Sequence, residues 1–575
     1  MTPPPQTRLA ERPFVYLVQH FRRRLFASEE EQSSGEMGLG VGTVLALLAA
    51  PGGFASLFLL DKYSTLIQYF RGQRGFNPYR ASIGDEYFFV VLSMTIIGLV
   101  MVLRWNRLLP DRRDYANLAA LPIPISSVFL ANFVALTGMG ILFAIDINAV
   151  SWFFFPAIVT LSDGSFAAFL MVATAHITTV LLASLFSFFS VFALVGVLMI
   201  VLPASWFKAV SVVVRMLLVV ALLTGFLSNF FLQLLAGQVP KSAAEYMRFL
   251  PSFWFLGLYE RMIHRATPAM LALSRQALTM LLASVVLTIV AYTLCYRRHF
   301  KKLAESSSDS VGSARLRFHW RTPEWLAALF VRSPFEHACF SFMWRVLTRS
   351  ERHLMFFGGY LGMGFVIVAD SAVGRVIPGS VVPPASLLAI PLLIAFFVIT
   401  GLRFVFDTPA SAESNWVFRA AALYPTPPPS SVVRRFMLMI VIPPLVAVCL
   451  LSVGPRYGWL PAVLHAAATT VMAELCIGAV LLRFHKIPFT CVREPETRQM
   501  MIRLLACLLS VLMIVPLLAN IEHWAVERAT HFLVLSALLL SAWIYLERRR
   551  TEPAEPQPLA FEERSPAAFE LLKLA

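Results

Sequence analysis

The chain has 575 residues, of which 58% are hydrophobic and 14% are charged, and its formal net charge is +15. This composition excludes an ordinary soluble protein. Uncharged apolar runs of about 20 residues recur along the chain, and each is long enough to cross a bilayer as an α-helix. The sequence therefore predicts a polytopic membrane protein.

The apolar runs predict about twelve transmembrane helices. These lie near residues 37–60, 86–103, 126–147, 166–202, 209–235, 276–296, 354–372, 385–402, 435–453, 460–482, 504–521 and 529–546. Most Lys and Arg residues fall on the inner side if both termini are inside, as the positive-inside rule requires. We therefore expect an all-α integral membrane protein with two parallel six-helix halves, N-in and C-in.

One run could be divided in two ways. No residue between Asp163 and Lys208 is charged, so this stretch is long enough for two crossings. Two crossings would invert every later loop and place the basic linker after Tyr296 outside. We therefore predict one long helix here. By the same placement, the segments from Asp61 to Glu86 and from Gly237 to Arg275 are outer loops.

An amphipathic segment precedes the first span. It combines aromatic side chains with a cluster of arginines, namely Phe14, Phe21, Arg22, Arg23 and Arg24. Such a helix is typical of the inner membrane interface, with rings at the acyl boundary and arginines on anionic lipid headgroups. Charges are spread through residues 1–36, so the sequence does not predict a signal peptide.

A short basic turn follows the second predicted span. It combines both signs of charge with a Leu-Pro corner, and its candidate docking residues are Arg107, Arg112, Arg113, Asp114, Tyr115, Leu121 and Pro122. A rigid turn leading straight into a span is typical of a segment that docks a soluble partner and passes motion to the helices. The alternative is a simple positive-inside anchor.

The second half repeats these two elements. Phe335, Phe342 and Arg345 match Phe14, Phe21 and Arg24 at one constant offset, and a second turn carries Glu413 and Trp416. Duplication explains the match, and so does a general preference of inner interfaces for Phe and Arg. The expected domains are residues 1–36 (interface helix), 37–300 (first half), 301–333 (basic, Ser-rich linker), 334–550 (second interface helix and half) and 551–575 (disordered tail).

The sequence contains no recognisable catalytic motif. There is no GxxxxGK[ST], HExxH or GxSxG pattern, and the six cysteines form no CxxC pair. We therefore expect no catalytic residue, no metal site and no cofactor in this chain. Because the positive charge follows the membrane topology, no nucleic-acid partner is expected either.

Two ionisable residues lie within predicted spans, where such groups are often functional. His176 and Glu474 each fall in the fourth span of their half. Either could line a translocation path, or hold helices together as a neutral histidine and a protonated or paired glutamate. No second acid or base is in register with them, so a proton relay is not predicted. The aromatic segment from Tyr246 to Tyr259 reads as an outer amphipathic lid or as an interface belt.

At these residues the chain resembles the permease subunits of type-2 ABC exporters. The resemblance rests on the interface helix from Phe14 to Phe26 and on the turn containing Asp114, Tyr115 and the run from Leu121 to Ser126. The second half departs from the pattern, because Tyr424-Pro425 replaces Leu-Pro and its acids are placed differently.

The resemblance implies two fused permease halves in a bacterial cytoplasmic (inner) membrane. It also implies a separate cytoplasmic ATP-binding cassette ATPase in two copies, which would bind the ATP. The alternatives are an ATPase-independent carrier or membrane scaffold and, third, an integral membrane enzyme. Carriers too are built from repeats, although usually inverted ones.

Overall fold

The structure is a computed structural model. It describes residues 13–26, 41–69, 78–105, 108, 123–161, 164–234, 247–306, 334–373, 382–408, 410, 429–482, 484, 487–489 and 497–551. These residues are almost entirely helical, so the protein is an all-α integral membrane protein.

The first half of the chain contains nine of the described α-helices and one 3₁₀ turn, Met247–Phe249. The helices are α1 (Pro13–Phe26), α2 (Val41–Tyr69), α3 (Pro78–Leu103), α4 (Ile125–Asn148), α5 (Ser151–Val159), α6 (Phe166–Val201), α7 (Ala204–Leu234), α8 (Pro251–Met262) and α9 (Pro268–Ser306).

The second half contains a further seven described helices. They are α10 (Pro334–Arg349), α11 (Glu351–Val373), α12 (Ala385–Phe406), α13 (Pro429–Tyr457), α14 (Trp459–Leu481), α15 (Thr497–Glu527) and α16 (Ala529–Thr551). Each half therefore presents an amphipathic helix followed by six long helices in the same order, and the first half adds the short helices α5 and α8.

Within the described residues, ten helical segments are long and apolar enough to cross a membrane. Helices α2 and α11 occupy the positions of the other two predicted spans. The predicted single helix between Asp163 and Lys208 is confirmed, because α6 runs without interruption for 36 residues until Pro203 follows it. At 1.5 Å per residue it is about 54 Å long, well beyond the hydrocarbon thickness.

The chain divides into two compact units, and we describe each by itself. Unit 1 comprises Met1–Ser211 and Gly225–Leu316, and unit 2 comprises Val212–Thr224 and Arg317–Ala575. The middle of α7 thus belongs to unit 2. There, Gly358 and Gly362 of α11 leave room for Met216 and Val220 to approach closely.

The segment from Asp61 to Glu86, predicted as an outer loop, is helical over most of its length. Helix α2 continues to Tyr69 and α3 begins at Pro78, so Asp85 and Glu86 lie inside a helix and are buried. Likewise α15 continues past the predicted end of its span and buries Glu522. A span assigned from hydropathy ends at its first charged residue. The helix itself can continue where a residue on a neighbouring helix pairs with that charge.

The aromatic segment before α9, predicted as a lid or an interface belt, is exposed only at its start, from Arg248 to Leu250. Helix α8 spans 12 residues, too few to cross the hydrocarbon layer, and every residue from Phe253 to Glu260 is buried. It packs against α3, α6 and α9, and its rings join the hydrophobic core of unit 1. Helix α8 is therefore an internal element of the unit.

Candidate functional site: buried ion pairs at the ends of both units

Two ends are defined in each unit. The proximal end carries the predicted docking segment, where α3 leads to α4 in unit 1 and α12 leads to α13 in unit 2. The distal end is opposite, where α3 begins in unit 1 and where α13 meets α14 in unit 2. Under the predicted topology the proximal ends face the cytoplasm.

Two adjacent acids of α3 build a polar network at the distal end of unit 1. Asp85 faces α2, where its carboxylate accepts hydrogen bonds from Lys62 Nζ at 2.7 and 3.0 Å and from Tyr63 Oη at 2.9 Å. The Lys62 side chain is 34% exposed, whereas that of Asp85 is 4% exposed. This half of the network therefore reaches the surface.

Glu86 faces α6 instead. Its Oε2 lies 2.6 Å from His176 Nδ1, and neither side chain has any exposed surface. Phe89 and Phe155 enclose the imidazole, with ring centroids 5.4 and 4.8 Å from that of His176. The pair is thus closed off from water, so an uncompensated charge there is costly.

The other ring nitrogen of His176 lies 3.1 Å from Ser151 Oγ at the start of α5. The Ser151 hydroxyl donates its proton to the carbonyl oxygen of Asn148 at 2.9 Å. In this arrangement it accepts from His176, and Nε2 carries a proton and donates it. One further proton must then lie between Nδ1 and the Glu86 carboxyl.

Helix α8 closes this end of unit 1 with Tyr259 and Glu260. Burial, and then the nearby Glu86, raise the pKa of Tyr259 well above its ordinary value. Burial also raises the pKa of Glu260, although Arg265 opposes that shift. Arg265 itself lies over the ring of Tyr79, 4.1 Å from its centroid. Burial thus disfavours the charged forms of Tyr259 and Glu260 beside the pair.

Unit 2 has a similar pair at its own distal end. His465 Nδ1 of α14 lies 2.5 Å from Glu522 Oε1 of α15, and both side chains are fully buried. Thr469 Oγ1 lies 3.2 Å from the same nitrogen and donates to the backbone oxygen of His465. In both units, therefore, a histidine on the fourth long helix pairs with a glutamate.

Glu474, predicted as an intramembrane candidate, does not belong to this distal pair. It forms an ion pair with Arg434 of α13, and Arg434 also lies 3.7 Å from Glu547 of α16. The next residue, Arg435, pairs with Glu336 of the amphipathic helix α10 at 2.8 Å. Two neighbouring arginines thus join α13 to helices on both sides, so Glu474 is a paired, helix-connecting residue.

The predicted docking residues of the two turns fall outside the described residues. These are Arg107, Arg112, Arg113, Asp114, Tyr115, Leu121, Pro122, Glu413 and Trp416. The described residues that border the turns are anchored. In unit 1, Asn132 Nδ2 donates to the oxygen of Leu108 at 3.0 Å and to Tyr292 Oη at 3.1 Å. Tyr292 Oη donates in turn to the Phe129 oxygen at 2.9 Å.

The second turn is anchored through Phe489. The Phe489 amide donates to the oxygen of Phe406 at 3.0 Å, and the Ala410 amide donates to the oxygen of Phe489 at 3.1 Å. Phe489 has a positive φ of 67° and a fully buried ring. Contacts with Phe342 and Phe406 offset that backbone strain.

The two amphipathic helices each turn one face to the protein. In α1, Phe21 is fully buried and Phe14 is half-buried, whereas Arg22 and Arg23 are exposed. The expectation that these rings enter lipid is therefore wrong for Phe21. In α10, Phe342 is half-buried and Arg345 is exposed. The side chains of Arg24 and Phe335 lie outside the described residues.

The partners Glu86, His465 and Glu522 were missed in the sequence. Glu86 and Glu522 sit at the limits of hydropathy-defined spans, and His465 lies six residues into α14 without a nearby acid in the chain. The one sequence feature that could have revealed these pairs is a histidine in the fourth predicted span of each half.

No family model, no curated protein and no solved structure matches the chain. Its function is therefore inferred from the residues and geometry described above.

Proposed function

We propose that the protein is the membrane-spanning permease of an ATP-driven exporter, built from two fused halves in a bacterial cytoplasmic membrane. Its energy source would be a separate cytoplasmic ATP-binding cassette ATPase, bound in two copies. The chain has no GxxxxGK[ST] loop to cradle a nucleotide phosphate, so ATP would bind to the partner. The mostly apolar, aromatic spans favour a lipidic or amphipathic substrate.

The observation that carries this proposal is the repeated construction of the proximal ends. In each unit an amphipathic helix packs against the helix that follows the predicted docking segment, α1 against α4 and α10 against α13. Hydrogen bonds at Leu108 and at Ala410 tie the border of each segment to the bundle. Because its borders are hydrogen-bonded to the helices, a displacement of the docking segment would be transferred to those helices.

The proposed cycle follows from these anchors. ATP binding would draw the two ATPase copies together and press on the docking segments. Leu108 passes this motion to Asn132 of α4 and to Tyr292 of α9, and Arg435 passes it from α13 to α10. ATP-bound ATPase would thus bind one arrangement of the helices better than the other, which is what shifts a conformational equilibrium.

The first test is purification of the tagged chain from its native membrane in mild detergent. The expected result is a stoichiometric partner that contains a Walker motif and hydrolyses ATP. Mass spectrometry identifies the partner, and an ATPase assay on the eluate measures its activity. A chain that purifies alone, without ATPase activity, contradicts the proposal.

Charge reversal at Asp114 tests the docking role separately. Asp114→Lys should reduce the stimulation of the ATPase by the membrane chain in lipid nanodiscs while leaving the chain folded. The matched control is Asp61→Lys on α2, an exposed acid that lies away from the proximal end. Equal stimulation by the wild type and both variants would remove the first turn from the coupling mechanism.

A second candidate, an ATPase-independent carrier, is favoured by one observation. Buried ionisable residues inside membrane helices are typical of ion-coupled carriers, and each unit has such a pair at its distal end. The purification experiment separates the two candidates, because a carrier needs no Walker-containing partner.

A further inference from the structure

The two distal histidine–glutamate pairs are fully buried ionisable groups that the proposed permease mechanism does not use. We propose that each unit carries one exchangeable proton on its buried pair, Glu86 with His176 and Glu522 with His465, and releases it when that end opens to water. The ligand is a proton, and the inference does not depend on an ATPase partner.

The proton count in unit 1 follows from the hydrogen bonds. With the Ser151 hydroxyl donating to Asn148, His176 Nε2 donates to Ser151, and the contact of 2.6 Å between Nδ1 and Glu86 Oε2 holds a further proton between them. Whether that proton resides on nitrogen or oxygen, the pair as a whole is neutral. It holds one proton more than a neutral imidazole beside a carboxylate.

Burial keeps that number constant while the end is closed. Adding a second proton or removing the first would leave a net charge among fully buried groups, next to the rings of Phe89 and Phe155. An unpaired buried charge costs several kcal/mol. The same reasoning applies to the fully buried pair of unit 2.

Opening to water changes the number of protons that each pair binds. In water a histidine loses its second proton near pH 6.5 and a glutamic acid near pH 4.3. Above about pH 6.5 an opened pair therefore binds no exchangeable proton, whereas a closed pair binds one. Each pH unit above that value should favour opening about tenfold per pair, because one proton is released.

Other titratable groups face the pair in unit 1. Around it are Lys62 and Tyr63 of α2, Asp85 of α3, and Tyr259, Glu260 and Arg265 in and after α8. Asp85 is already paired with Lys62, and tyrosines in water keep their protons up to about pH 10. Glu260 could add a second proton on opening, so the test chains carry Glu260→Gln.

Among the described residues of unit 2, the further titratable groups near the pair lie on α13 and α15. Cys449 of α13 lies beside His465, and His523 and Glu527 of α15 lie near Glu522 at the partly exposed edge. Cys449 is fully buried, and its thiol can therefore report the opening of this end directly.

Labelling of buried thiols by maleimide measures the opening in each unit. In unit 1 the reporter is Ala175→Cys, a fully buried position next to His176, and in unit 2 it is the native Cys449. The full chain in lipid nanodiscs is labelled between pH 6.5 and 8.5, and peptide mass spectrometry resolves each cysteine. Rates are divided by that of the exposed reference Leu161→Cys, which cancels the intrinsic pH dependence of thiols.

The expected result is that the normalised labelling rate rises about tenfold per pH unit at both reporter cysteines. Glu86→Gln should abolish the rise at residue 175, because a neutral histidine beside an amide loses no proton on opening. Cys449 in the same chain should keep its slope, which also shows that the variant is folded. His176→Gln should keep the slope, since the enclosed carboxyl then holds the proton alone.

The result that overturns the proposal is a flat profile in the wild type, or a slope at residue 175 that survives Glu86→Gln. If Glu86→Gln does not fold, Glu522→Gln makes the same test at Cys449, with residue 175 as the internal control. The presence or absence of an ATPase partner changes none of these outcomes, so failure here and failure of the proposed function are distinguishable.

Discussion

Glu86 Oε2 and His176 Nδ1 lie 2.6 Å apart although 90 residues separate them in the chain. This contact joins α3 to α6 at the distal end of unit 1, where both side chains are fully buried. The contact therefore links two of the long helices of the unit, and it gives the first prediction.

A double-mutant cycle should detect this link. Glu86→Ala or His176→Ala alone should each cost about 3–5 kcal/mol, because each leaves a buried polar group without its partner. The double variant should cost clearly less than the sum of the two. Thermal unfolding in detergent measures the losses, and Thr174→Ala, exposed on the same helix, is the control. Additive losses would show that the two residues do not act as a pair.

Arg434 and Glu474 should behave as a second, weaker pair. Their side chains are 22% and 26% exposed, so solvent screens part of the interaction. Arg434→Gln and Glu474→Gln should each cost about 1.5–3 kcal/mol at most, the range for hydrogen bonds between charged groups. The double variant should be no less stable than either single one. Chemical denaturation of all three proteins checks this, and a double variant much worse than both contradicts it.

Gly257 should be essential for the seating of α8. A Cβ atom there would lie 2.6 Å from the oxygen of Met270 and 2.9 Å from Leu273 Cβ, so α8 would have to move off α9. Gly257→Ala should therefore cost about 1–3 kcal/mol, the usual range for overpacking. Gly138 of α4 has open space around its Cβ position, so Gly138→Ala should be neutral or stabilising. Thermal midpoints of the two variants compare them, and equal effects would contradict the close contact.

Glu260 should make the protein less stable as the pH rises. Burial raises the folded-state pKa of this carboxyl above its value of about 4.3 in an unfolded chain. Its stabilising contribution is therefore fully present below about pH 4.3 and is lost as the pH rises through the folded pKa. Glu260→Gln should remove that loss, so the variant should gain stability relative to the wild type from pH 4 to pH 8.

Thermal midpoints at a series of pH values measure this gain. Asp61→Asn, on the exposed surface of α2, is the control and should parallel the wild type. A constant difference between Glu260→Gln and the wild type across the whole range would mean that Glu260 does not titrate with a raised pKa.

The fold class follows from the sequence because length and apolar content suffice for it. A run of about 20 apolar residues must be helical in lipid, where every backbone hydrogen bond has to be satisfied within the segment. The long helix α6 could be predicted for the same reason. The docking turns and the orientation of the helices remain predictions, since they rest on loop charge.

The distal site could not be predicted in the same way. Glu86 and Glu522 looked like loop residues because a lone carboxylate in a span is expensive, and only the packing of α3 on α6 and of α14 on α15 brings each of them to a histidine. The sequence alone determined that the chain lies in the membrane as helices, since that depends on local composition. Tertiary structure decided which buried charges neutralise one another, because such pairs join residues far apart in the chain.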